Sequence, residues 1–136
     1  MGKNIIEEYS YVHDNEIISY QVDILDKLQM FTKYLDKEET TITFTGLMAH
    51  HFEHVTYSNI IFDITQVTVD YFIDEYKEML EESLRYGFPA YNKNCEELRA
   101  RLKNEGQKIF IIYSSLGLSG FVIAKDISIV VVDNSE

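Results

Sequence analysis

The chain changes its hydrophobic period twice. Ile17–Val22 and Leu28–Tyr34 are short β-rich runs separated by 23-DILDK-27, and both read as strands. After a charged turn at 36-DKEE-39, the segment 40-TTITFTGLMAHHFEHV-55 opens with strict alternation. Ile42, Phe44 and Gly46 share one side, and Thr41, Thr43 and Thr45 share the other. That spacing predicts a third strand over 40–55. The run 59-NIIFDITQV-67, with Ile60, Phe62 and Ile64 on one face, predicts a fourth.

From Thr68 the spacing becomes helical. Val69, Phe72, Ile73, Tyr76, Met79, Leu80 and Leu84 recur on one stripe of 68-TVDYFIDEYKEMLEESLRYG-87, with Thr68 placed to cap and Gly87 to terminate. A second, shorter helix is announced by 94-NCEEL-98. Asn94 caps it, Glu97 stands in the capping-box position, Leu98 and Leu102 form its buried edge, and Gly106 closes it. The chain returns to β at 108-KIFIIYSS-115 and 121-FVIAKDISIVVV-132, joined by a hairpin at 116-LGLSG-120 whose glycines permit positive φ. Four strands, two helices and two strands predict one α+β domain over residues 1–136. Its sheet is mainly antiparallel with about six strands, and the two helices inserted between strands 4 and 5 pack on one face.

Composition sharpens this picture. A chain of 136 residues can bury a core of its own, and it does so without a disulfide, because Cys95 is the only cysteine. No run reaches the ~18–20 apolar residues of a membrane span. The opening MGKNIIEEYS lacks the apolar core and cleavage site of a secretion signal, and Ile6 stands where myristoylation requires Ser or Thr. A cytoplasmic location is the expectation. The net charge of −11 repels nucleic acid and anionic lipid, and it would steer a basic partner inwards as well as keep the chain soluble.

Candidate chemistry is sparse. In 49-AHHFEH-54 a strand sends His50 and His54 one way with Phe52, and His51 and Glu53 the other. Alternate strand residues lie about 6.6–7 Å apart, so a metal at His50, His51 or His54 would need ligands from elsewhere. A helical reading also fails the zincin pattern, since His51 follows His50 and Glu53 is misplaced. Cys95 stands at a helix start, where the dipole favours thiolate, but a nucleophile also needs a base and an orienting group. The stretch 117-GLSG-120 brings its second glycine one residue too early for a hydrolase elbow. The chain contains neither a phosphate loop nor a dinucleotide fingerprint. The adjacent acids Glu7–Glu8, Glu38–Glu39, Glu81–Glu82 and Glu96–Glu97 read as solvated.

The first helix carries the most distinctive surface. Opposite its apolar stripe lie Asp70, Asp74, Glu75, Glu78, Glu81 and Glu82, with Arg85 breaking the sign and Lys77 at the margin. Asp70–Asp74, Asp74–Glu78 and Glu78–Glu82 are like-charge i,i+4 pairs costing on the order of 0.2–0.5 kcal/mol each. The helix dipole offsets the first acids but not Glu78 or Glu82. Tyr71 falls among these acids. An aromatic ring in an acidic face suits a cationic partner, the ring anchoring and the charges steering. The plainer reading is a solvated helix side with one loose tyrosine.

The order 13-HDNEI-17, 42-ITFTGL-47, 59-NIIFDI-64 ahead of an acidic helix, and 114-SSLGLSGFVIA-124 resembles a group of small bacterial cytoplasmic proteins of immunity type, encoded beside polymorphic or secreted toxins. The likeness spans residues 13–130. It implies binding and neutralising of a toxin, and it transfers no catalytic or contact residue position by position. The expectation is therefore a non-enzymatic binding protein without cofactor, meeting a basic protein partner through Tyr71, Asp74, Glu78 and Glu82. Two alternatives stand beside it: a metal-dependent enzyme using His50, His51 or His54, and a structural subunit self-associating through 127-ISIVVV-132.

Overall fold

The computed structural model describes residues 4–35 and 38–132. Residues 36 and 37 of the charged turn, and the first three residues of the opening segment, lie outside the described residues. Nine strands run in the order β1 (Ile5–Glu8), β2 (Glu16–Asp23), β3 (Lys27–Lys33), β4 (Glu39–Thr45), β5 (Ala49–Glu53), β6 (Ile60–Val67), β7 (Lys108–Leu116), β8 (Ser119–Ala124) and β9 (Asp126–Val132). Between β6 and β7 lie three helices, α1 (Val69–Glu75), α2 (Lys77–Ser83) and α3 (Cys95–Asn104). Single 3-10 turns occur at Ser10–Val12 and Leu84–Tyr86.

The expected six strands with two helices between strands 4 and 5 are thus corrected to nine strands and three helices among the described residues. Four causes account for the difference. β1 is exposed along its whole length and pairs with β6 by backbone alone, so no apolar alternation marks it. The run 40–55 breaks at Gly46, whose φ of +66° turns the chain. The run 121–132 breaks opposite it at Lys125, and a Cβ on Gly46 would meet the Lys125 side chain at 2.9 Å. The first helix breaks at Tyr76, whose φ of −106° and ψ of 18° leave the helical region.

Every pairing is antiparallel. The hydrogen-bonded order is β5-β8-β7-β6-β2-β3-β4-β9, with β1 added to β6. The two ends of this order are halves of the same ribbons, since β4 continues into β5 and β8 into β9. Across the shared bend, the Lys125 N–H donates to the Thr45 carbonyl at 2.9 Å and the Met48 N–H to that of Ile123 at 2.8 Å. The sheet therefore folds over on itself. Its inner space is filled by Leu28, Met30, Ile42, Phe44, Ile64, Phe110 and Val122, all fully buried.

The helices cover the outside of β7 and β8. Phe72, Ile73, Leu80, Leu98 and Leu102 pack on Ile109, Ile111, Phe121 and Ile123. These two strands are buried on both faces, which explains why FIIY and FVIA read as unbroken apolar runs. β3 and β4 bury one face only, and their sequences alternate accordingly.

Candidate functional site

The acidic helix face is built on α1 and α2. Thr68 caps α1 by accepting the Tyr71 N–H at 3.1 Å, which sets the phase of the helix. Asp70 and Asp74 then point towards α3. There the Arg99 guanidinium donates to Asp70 at 2.6 Å and to Asp74 at 3.4 Å, while Lys103 reaches Asp70 at 3.0 Å. Hydrogen bonds from Arg99 and then Lys103 hold the Asp70 carboxyl below the usual carboxylate range. Asp70 foremost, then Glu96 on α3 itself at 3.3 Å, and Asp74 keep Arg99 firmly protonated. The N-terminal half of the acidic face is thus neutralised from a neighbouring helix. Sequence reasoning did not find Arg99 and Lys103, because they lie 25 or more residues beyond the aspartates and no local spacing links them.

Along α2 the acids stand alone. Glu78, Glu81 and Glu82 are exposed, and among the described residues the one base within ion-pair distance of any of them is Arg85, 3.6 Å from Glu82. Tyr71, expected as the anchor set among the acids, is half-buried and packs against the cluster beneath the helices rather than hanging loose. Its phenol lies against Tyr113 on β7. Burial, and then the neighbouring Tyr71, push the Tyr113 hydroxyl up to about 12. Of the four expected contact residues, Glu78 is exposed, Glu82 is exposed beside Arg85, Asp74 is shared with Arg99, and Tyr71 is half-buried.

The histidines divide as a strand requires, but only as far as Glu53. His50 lies opposite Val122 and faces inwards beside Phe52, with ring centroids 5.1 Å apart. Burial, then the neighbouring His51, lower its pKa. His51 faces the helices, stacks on Phe121 at 5.6 Å and meets Glu53 through Nε2 at 2.8 Å. That hydrogen bond is the main reason the Glu53 carboxyl is held below its ordinary range. His54 does not share the His50 face as expected, because the strand has ended and its φ is +61°. Among the described residues, no three of His, Cys, Asp and Glu are grouped to hold a metal ion.

Cys95 is buried at the first position of α3, and burial, then the nearby Glu81, push its thiol up. The 117-GLSG-120 segment closes the β7–β8 hairpin, with Gly117 at φ +80°. No helix among the described residues is long and apolar enough to cross a membrane. No protein-family model matches the chain, and neither a curated protein nor a solved structure does.

Proposed function

We propose that the chain is a non-enzymatic protein-binding domain that presents the acidic face of α1 and α2 to a basic partner. The supporting observation is the contrast along that face. Asp70 and Asp74 are compensated by Arg99 and Lys103, while Glu78, Glu81 and Glu82 are exposed on a helix that also carries Lys77, and among the described residues the one ion pair they form is Glu82 with Arg85. Uncompensated like charges cost stability, and a cationic surface docking on them recovers that cost. The resemblance to immunity proteins supplies the partner class, a basic toxin domain bound in the cytoplasm. Tyr71, Asp74, Glu78 and Glu82 form the proposed contact set, with Glu78 and Glu82 supplying most of the steering.

The test is recovery of the tagged chain from its own organism at low and at moderate salt. A basic partner that is lost as salt rises, and lost on Glu78→Lys with Glu82→Lys, supports the reading. Retention of the partner by the charge-reversed chain removes the face from the interface.

A second reading rests on β9. Among the described residues this strand pairs on one side only, with β4, and it carries no proline, bulge or lysine to guard its other edge. Self-association through that edge is the alternative it favours.

A further inference from the structure

An open pocket of about 380 Å³ lies where the 3-10 turn meets the ends of β3, β4 and β9. Tyr11 and Tyr34, 68% and 40% exposed, stand at its sides, and the carboxylates of Asp14 and Glu38 line it. Asn15 and Thr40 form its buried part, 4% and 5% exposed. The segment 13-HDN-15 that builds it has no part in the helix face.

The hydrogen bonds settle what Asn15 offers. The Thr32 hydroxyl donates its single hydrogen to the Thr40 carbonyl at 2.8 Å, so towards Asn15 it can only accept. Asn15 must therefore turn its Nδ2 to Thr32, at 3.0 Å. Its Oδ1 is left as an acceptor with no protein donor among the described residues, on a side chain that lines the pocket. His13 is fixed as well. Its Nδ1 donates to the Phe62 carbonyl at 2.7 Å, leaving Nε2 3.5 Å from Asp14. Neither lysine nor arginine is among the described residues lining the pocket.

The Asn15 acceptor, two carboxylates and two aromatic rings in one lining match a flat cation with several donors. A guanidinium carries five N–H groups in one plane and stacks on tyrosine, which an ammonium does less well. The volume lies near the lower end of the ~300–1,000 Å³ of ligand sites, which suits a single side chain. We propose that this pocket receives an arginine side chain of the basic partner. The source of that arginine rests on the protein-binding reading above; the chemistry of the pocket can be tested without the partner.

The experiment is an NMR titration of the isotope-labelled chain with acetyl-arginine amide, acetyl-citrulline amide and agmatine. Saturable shifts at Asn15, Thr40 and Val131 are expected with acetyl-arginine amide and absent with the neutral citrulline analogue. Asp14→Asn with Glu38→Gln should weaken binding about tenfold or more, as expected for loss of charge-assisted hydrogen bonds. Asn tolerates the φ of +69° at position 14, and Tyr11→Ala at an exposed ring gives a second variant expected to fold and to bind more weakly. Absent or unlocalised shifts, equal shifts with citrulline, or unchanged binding by both variants would overturn the proposal. Binding of agmatine alone would also overturn it, assigning the pocket to a free small cation. Because no partner enters this titration, its failure leaves the helix-face reading standing. Loss of that reading through the charge-reversed chain would, in turn, leave intact arginine shifts unexplained only as to their source.

Discussion

Asn59 illustrates how single polar side chains organise this chain. Its Oδ1 accepts from the Thr56 N–H at 3.0 Å and the Leu118 N–H at 2.8 Å, while Nδ2 donates to the Thr56 carbonyl at 2.6 Å. One buried amide thus ties the loop after β5 to the β7–β8 hairpin. His50 matters for a different reason. Its lowered pKa means that the folded chain binds fewer protons there than the unfolded chain. Its contribution is therefore complete above about pH 6.5, the unfolded value, and is lost as pH falls through the folded pKa. His50→Gln should flatten the decline in stability between about pH 7 and about pH 5. Urea unfolding across that range checks this, and parallel curves for the two chains would sink it.

At the scale of elements, caps were legible because they are local. Asn94 accepts the Glu97 N–H at 2.9 Å, as the capping-box spacing implies. Glu97, however, reaches back to the Lys93 N–H at 2.9 Å rather than to Asn94 itself. Close approaches between distant elements were not legible. A Cβ on Gly120, whose φ is +152°, would sit 1.8 Å from the His51 carbonyl oxygen on β5. Gly120→Ala should cost on the order of 3–5 kcal/mol, whereas Asn94→Ala should cost about 1 kcal/mol. Urea denaturation of both variants tests the ranking, and an equal or reversed order would contradict the packing of β5 on β8.

At the scale of the whole molecule, the charge is unevenly opposed. Arg99 and Lys103 gather on Asp70 and Asp74, and Lys108 pairs with Asp126 at 3.3 Å. The glutamates of α2 and the pocket beside Asp14 lack comparable partners among the described residues. β9 is the other open feature, with Val130 and Val132 exposed along an unguarded edge. On the edge-pairing reading, light scattering gives a mass above the 15.9 kDa of one chain, falling to one chain on Val130→Lys. A single-chain mass for both proteins rejects that reading.

By itself the sequence determined what depends on neighbours along the chain. It located the β-rich and helical stretches apart from β1, though not where they break, together with the Thr68 and Asn94 caps, the hairpin glycines and the acidic side of the first helix, all set by period and by local hydrogen bonding. Tertiary structure decided where the long strands bend, because Gly46 and Lys125 meet only when the two ribbons pair. It joined Arg99 to Asp70 and Asp74 across helices, buried Cys95 and half of Tyr71, and ended the histidine strand before His54. It also assembled the pocket of Tyr11, Asp14, Asn15, Tyr34 and Glu38. Those contacts depend on residues far apart in sequence, whose encounter is dictated by the folding over of one sheet.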